Sequence, residues 1–320
     1  MLDITVCILS YNRPTYLREA MSSVLLQTRQ PKKIIIYDNG SDERVFDEVK
    51  EFIDGDVQWR GAEHNHPVIW NFNRALCDCE TKYIVLLHDD DRLCPNFIEE
   101  QLKLLDADDS LVAVSCNGFL IDEDGYRKNA TLAPIVGQTI ELYTCSGQVA
   151  LKYAGDSCLP MSPMVYRTQA VRLVEFREEF GKVCDAVLFC DLADVGGIAY
   201  QTTPLYECRV HSGQDSSYFA YKLMNQLEAF FWTRRCVNDV EQARLHSLLI
   251  RQHTARNIKQ LYQSAKKIDF SLIIPLLTDD KFKIIYAINV IGLWGFKIFF
   301  DHRLNNIFLK INRSLFKNDK

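Results

Sequence analysis

The chain has 320 residues, enough for one large domain or two ordinary ones. Hydrophobic residues make up 48% and charged residues 25%, a globular mix that excludes disordered, collagen-like and low-complexity chains. Against 37 Lys and Arg stand 42 Asp and Glu, a net charge of −5, so no global basic field points to nucleic acid. The balance is uneven, because residues 281–320 hold eight Lys or Arg and two Asp, a local +6. The eleven cysteines are scattered, and the pair Cys77-x-Cys79 lacks a second pair at zinc spacing. The N-terminus enters a strand-like run without a basic region or cleavage site. Reduced, mostly buried thiols in a cytosolic protein are therefore expected.

In chain order, strand and helix signals alternate over the first hundred residues. Ile4–Leu9 is a β-rich apolar run, followed by the turn Ser10-Tyr11-Asn12-Arg13-Pro14 with Asn12 as a helix cap. Leu17, Ala20, Met21, Val24 and Leu25 then recur at helical spacing up to Gln27. Ile34–Tyr37 reads as a second buried strand ending at Asp38-Asn39-Gly40-Ser41-Asp42, with a helix over Glu43–Ile53 and a weak strand at Val57–Arg60. A helix over Val68–Cys77 precedes the strand Tyr83–Leu87, which ends in His88-Asp89-Asp90-Asp91. Pro95–Leu105 is helical and Leu111–Cys116 a further strand. This alternation predicts an α/β fold with a doubly wound, mostly parallel central sheet flanked by helices.

Beyond residue 117 the pattern loosens. Asp122-Glu123-Asp124-Gly125 reads as a hairpin tip, Phe180–Ala193 as an apolar helix, Tyr206–His211 as a strand, and 219–268 as two helices. Ile284–Phe296 is thirteen residues without a charge, flanked by Lys283 and Lys297. About 20 apolar residues are needed to span a bilayer. The run therefore suits a helix lying in the membrane interface, or a packed C-terminal helix with a basic rim.

Ligands of doubly wound sheets bind outside the carboxyl ends of the strands, where Ser10–Asn12, Asp38–Asp42 and His88–Asp91 fall. Each alone is an ordinary solvated turn; three at one edge form a candidate site. Adjacent carboxylates ending a buried strand are costly without a cation. Oxygen ligands plus phosphates describe Mg²⁺ or Mn²⁺ holding a nucleotide. Neither a Walker A sequence nor G-x-G-x-x-G is present, which removes two other phosphate-binding classes.

Together, Val6–Pro14, Tyr37–Asp42 and Leu86–Asp91 resemble family 2 glycosyltransferases of the GT-A fold, in order and in spacing. Asn71-Phe72-Asn73-Arg74 is similar to the helix before the family's acidic motif. Asp185 with Leu188, Leu192-Ala193 and Gly196 is similar to its catalytic segment, and Cys208-Arg209-Val210-His211 to its Tyr-Arg-x-His element. The resemblance implies that Ser10, Asn12 and Asn71 line a nucleotide-sugar pocket and that Asp38 reads the nucleobase. Asp42 holds its loop or reaches the nucleotide, and Arg74 meets the phosphates or lies on the surface. Asp89 and Asp90 would contact the nucleotide-sugar, with Asp90, Asp91 and His211 holding Mn²⁺ or Mg²⁺; His211 is otherwise a loop residue bonded to backbone.

Asp185 is the implied general base of an inverting transfer, and Asp191, six residues on, a helix-surface charge. This sequence departs from the family in three places: His88 stands where an acid is usual, Cys184 precedes the base, and Cys208 opens the last element.

The implied organisation is a GT-A domain over 1–217, with a nucleotide half at 1–117 and an acceptor half at 118–217. A helical extension over 218–268 and a tail over 269–320 follow. The implied donor is a UDP-sugar and the acceptor a glycan, lipid-linked at the cytoplasmic face of the membrane if the tail binds there, as in surface-polysaccharide assembly. Two other readings are weighed. A sugar nucleotidyltransferase would need an N-terminal Gly-rich phosphate loop, and Ser10-Tyr11-Asn12-Arg13 has no Gly. An inactive membrane-peripheral binding module is opposed by the intact Asp38, Asp89–Asp91 and Asp185.

Overall fold

Alternation along the first strand decides the layering. Ile4, Val6 and Ile8 pack into one apolar cluster, and Cys7 and Leu9 into another on the opposite face of the sheet. The computed structural model describes residues 2–135, 137, 139–155, 157–213 and 221–264, with 221, 222 and 257–264 by backbone alone. Strands β1 (Leu2–Ser10), β2 (Pro31–Asp38), β3 (Val57–Gly61) and β4 (Tyr83–His88) are mutually parallel in the order β3-β2-β1-β4. Helices α1 (Pro14–Leu25), α2 (Glu43–Val49), α3 (Val68–Asp78) and α4 (Phe97–Ala107) connect and follow them. Residues of α1, α2 and α4 join the cluster of Ile4 and Val6, whereas those of α3 join the cluster of Cys7. Both faces are therefore covered, which is why Ile34–Tyr37 is apolar throughout and buried throughout.

The second half adds β5 (Arg92–Leu93), β6 (Leu111–Ile121), β7 (Arg127–Thr131), β8 (Ile140–Tyr143), β9 (Met164–Arg167) and β10 (Gly197–Arg209). The long strands β6 and β10 pair in parallel, and short β9 runs antiparallel between β4 and β6. The β6–β7 pair has its tip at Asp122–Gly125, as the turn residues predict. Helices α5 (Ser146–Ala154) and α7 (Cys184–Val195) cover the face of the Cys7 cluster, and short α6 (Thr168–Val171) follows β9. Periodicity does not reveal β7, β8, α5, β9 or α6, because each is short and lies among polar turn residues. Two expected strands prove longer: the one at Leu111 runs to Ile121, and the one at Tyr206 begins at Gly197. The helix expected from Phe180 begins instead at Cys184, since Gly181 (φ 48°, ψ −124°) breaks the preceding 3₁₀ turns.

Residues 1–249 form one compact unit, and a second begins at Ile250. Helices α8 (Tyr221–Trp232) and α9 (Asp239–Ser264) occupy the region where two helices are expected. The basic, apolar tail lies outside the described residues. Among the described residues no helix is long and apolar enough to cross a membrane, and all eleven cysteines are free thiols.

Gly40 sits in the left-handed region (φ 76°), and a Cβ there would lie 2.4 Å from the backbone carbon of His64. Gly40→Ala is expected to cost about 1–2 kcal/mol from backbone strain alone. That lowers Tm by roughly 2–8 °C in a thermal melt.

Candidate active site

Parallel register brings the ends of three strands together: Ser10 pairs with Asp38, and Leu9 with both Tyr37 and His88. The loops beyond them are then laced to each other. Asn12, at φ 53°, is not the cap of α1. Its N–H donates to Ser41 Oγ (2.9 Å) and its Oδ1 accepts from the Asp42 N–H (3.0 Å), joining the first loop to the second. Asp38 accepts from the N–H groups of Gly40 (3.1 Å) and Ser41 (2.9 Å) and from Ser41 Oγ, which closes the turn. Asp42 caps α2 through the Arg44 N–H and pairs with the Arg44 side chain; of its two expected roles the structure displays the loop-holding one.

Asn71 donates to the Tyr37 carbonyl (2.8 Å), while Arg74 lies over the rings of Tyr37 and Trp70, 5.3 and 5.2 Å from their centroids. Four buried polar atoms in this region have no protein partner: Ser10 Oγ, Asn71 Oδ1, Arg74 Nη1 and His88 Nε2. An unpaired buried group typically costs about 1–3 kcal/mol, so a surface carrying several of them suits a polar ligand.

The carboxylates of the acidic run are held by three parts of the chain, two of which each serve a pair of them. Asp89 accepts from the Tyr11 N–H and from Arg13 Nη1, both at 2.9 Å, and so anchors the first loop. Asp90 Oδ2 meets His211 Nε2 at 3.1 Å and Arg13 Nη1 at 3.3 Å. Asp91 accepts from Ser162 Oγ (3.2 Å) and from the Arg209 N–H (3.1 Å). All three are at most 8% exposed. Burial and the neighbouring Asp90 charge push Asp89 up to about 7, and the same two causes raise Asp91. Burial also acts on Asp90, but His88, the hydrogen bond from His211 and Arg13 outweigh it and hold that carboxyl below its usual value.

The ligand atoms of His88, Asp90 and Asp91 lie within 4.8 Å of one another. Burial lowers the pKa of His88, which favours the neutral form of its imidazole. A neutral nitrogen and two carboxylates fit a divalent cation. The sequence expectation named His211 with Asp90 and Asp91. The structure brings His211 to Asp90 by hydrogen bond and puts His88 in the ligand group.

Asp185 lies in the first turn of α7, half-buried, with Oδ2 accepting from Tyr153 Oη at 3.3 Å. Burial raises its carboxyl to about 6, against the hydrogen bonds from the Ala186 N–H, Tyr153 and its own N–H. Tyr153 also donates to the Leu159 carbonyl (3.3 Å), and the same segment reaches Ser162 at Asp91. Residues 159–162 therefore connect the surroundings of Asp185 to those of Asp91. Asp191 is not a free surface charge: its side chain is 15% exposed and is ion-paired with Arg177 and Arg234.

The family model for Glycosyl transferase family 2 matches residues 5–172. The chain belongs to glycosyl transferase family 2. An uncharacterized glycosyltransferase of Rickettsia felis is 27% identical over 218 residues, covering 67% of this chain and 35% of the relative. One of Haemophilus influenzae is 21% identical over 229 residues, covering 68% and 69%. The chain thus spans about a third of the first relative's length and about two thirds of the second's. The crystal structure of S. aureus TarS 1–349 in complex with UDP-GlcNAc superposes with a TM-score of 0.58 at 15% identity, over 90% of this chain and 79% of that one. At that identity the likeness speaks for the fold, which is GT-A.

Within this family 2 domain, residue patterns miss Arg13, Ser162 and the buried side chain of Arg209 as parts of the site. Arg13 adjoins Asn12 inside a motif already singled out, so proximity was its available signal. Ser162 lies in an irregular stretch with none.

Because burial raises Asp185 in the folded state, its charge costs stability above about pH 6, and the cost fades as pH falls toward the ordinary carboxylate value. Asp185→Asn is therefore expected to raise Tm by about 2–4 °C at pH 7.5, with the gain gone by about pH 4, as melts across pH would record.

Proposed function

We propose that the protein transfers a sugar from a UDP-sugar to a hydroxyl of a glycan, inverting the anomeric carbon, with Mn²⁺ or Mg²⁺ as cofactor. The observation that carries the reading is the gathering of the ligand group His88–Asp90–Asp91 at the same sheet edge as the loops of Ser10 and Asp38. The TarS complex with UDP-GlcNAc supports a UDP-sugar as donor. Ser10, Asn71 and Arg74 offer unpaired polar atoms to the nucleotide-sugar. Asp38 retains lone pairs on a carboxylate suited to an imide N–H. Asp42 and Asn12 act through the loops they hold, and Asp89 through the first loop.

The reaction joins the acceptor oxygen to the anomeric carbon as the bond from that carbon to the diphosphate oxygen breaks, releasing UDP. Asp185 takes the hydroxyl proton, which its carboxylate does best above a pKa near 6. His88, Asp90 and Asp91 would hold the divalent ion, which when bound supplies charge neutralisation of the diphosphate. His211 orients Asp90 through the 3.1 Å contact. The composition of residues 281–320 supports a lipid-linked acceptor at the cytoplasmic membrane face, as in surface-polysaccharide assembly.

A panel of UDP-sugars assayed for UDP release tests the proposal. Metal-dependent release from one sugar is expected, with Asp185→Asn and Asp91→Asn each lowering kcat by about 10²–10⁴-fold. Absence of any nucleotide binding, with or without metal, would defeat it. The rate should fall with acid along a limb near pH 6, and Tyr153→Phe should move that limb upward by removing a hydrogen bond to the carboxylate. With one nitrogen among the ligands, Mn²⁺ is expected to half-saturate at a lower concentration than Mg²⁺, and His88→Asp to narrow that difference.

A further inference from the structure

Arg209 ends β10 with its side chain wholly buried, and its donors fan out in three directions. Its backbone N–H donates to the Asp91 carboxylate (3.1 Å), and its side-chain Nε donates to the Asp90 main-chain carbonyl (3.0 Å), so the Nε edge of the guanidinium faces the acidic turn. Nη1 donates to the carbonyls of Asp122 (3.2 Å) and Glu123 (2.9 Å), fixing the β6–β7 tip. Nη2 meets Glu19 Oε2 at 2.5 Å. The guanidinium also lies over the Tyr16 ring, 4.3 Å from its centroid. Glu19 comes from the second turn of α1, and its Oε2 also accepts from Arg92 Nη1 at 3.3 Å.

A buried guanidinium needs a compensating anion, because removing one partner of such a pair leaves an uncompensated charge in the interior. The Arg209 guanidinium meets the Glu19 carboxylate on one side and the acidic turn, through the Asp90 main-chain carbonyl, on the other. We propose that Glu19 is a positioning residue for the divalent-ion site, neutralising Arg209 from α1 so that the carboxylates of Asp90 and Asp91 stay available to the ion. Without the Glu19 charge, the guanidinium beside the Asp90 carbonyl is less compensated and repels an ion held by the Asp90 and Asp91 carboxylates. The inference rests on the metal-dependent reading above and deepens it, since it names what keeps the site's affinity high.

The test is Mn²⁺ titration of the full chain with saturating UDP, following free Mn²⁺ by electron paramagnetic resonance beside a thermal melt. Glu19→Gln keeps an acceptor for Nη2 but no charge, and is expected to raise the apparent Mn²⁺ Kd by about tenfold. Its kcat at saturating Mn²⁺ should stay within about twofold of the parent protein, because the variant acts on ion affinity and not on the proton transfer. Glu19→Asp restores the charge on a shorter arm and should recover most of the affinity, which also serves if Glu19→Gln folds poorly. A lowered Tm with an unchanged Kd in Glu19→Gln would overturn the inference alone. Failure of the parent protein to bind Mn²⁺ with UDP present would remove the metal reading and the inference together.

Discussion

Three consecutive carboxylates at the buried end of β4 repel one another, and the site is organised around containing that repulsion. Each acid has its own set of partners, with Arg13 shared between Asp89 and Asp90. Asp89 is held by the first loop through Tyr11 and Arg13, Asp90 by His211 and Arg13, and Asp91 by Ser162 and Arg209. Because these partners come from β1, β9 and β10 and their loops, the electrostatic requirement of one turn dictates the approach of both halves of the fold.

Containment by partial pairing differs from containment by full neutralisation. Asp89 and Asp91 are displaced toward protonation while Asp90 is displaced the other way. A divalent ion held there, as proposed, would change this arrangement by favouring the ionised form of every carboxylate it touched, so that its binding would release protons. Asp185 obeys a different logic: it owes its raised pKa to burial first, and its partners only moderate the shift. Environments that push two carboxylate groups to different protonation behaviour are what acid–base chemistry within one cleft requires. The stability given up at Asp185 and at the unpaired atoms of Ser10, Asn71, Arg74 and His88 is spent where a ligand can return it.

The site shares its scaffold with ordinary structural work. Asp42 and Asp38 close loops, Asn12 joins them, and Gly40 lets the second loop pass the backbone of His64. These residues fall inside the family's motifs, yet their observed contacts are intramolecular. Motif membership in this domain therefore mixes groups that face a ligand with groups that hold the ligand-facing loops in register. Distinguishing them takes geometry: Asp42 is engaged by Arg44 of its own helix, whereas Asp38 closes its turn and still keeps a lone pair free.

What the sequence determined by itself is local. Apolar runs and period-3.6 patterns marked the strands and helices of the first hundred residues, and the polar residues ending β1, β2 and β4 marked one edge of the sheet, because both signals come from neighbours a few positions apart. The antiparallel insertion of β9, the start of α7 beyond Gly181 and the ion pairs of Asp191 were not legible that way, since short elements and ion pairs take their stability from distant partners. Only the tertiary structure put Ser162 on Asp91 from 71 residues away, and Glu19 on Arg209 from 190 away. Sequence period fixes which face a residue occupies. Which charge it meets there is decided by how the sheet brings remote strands together.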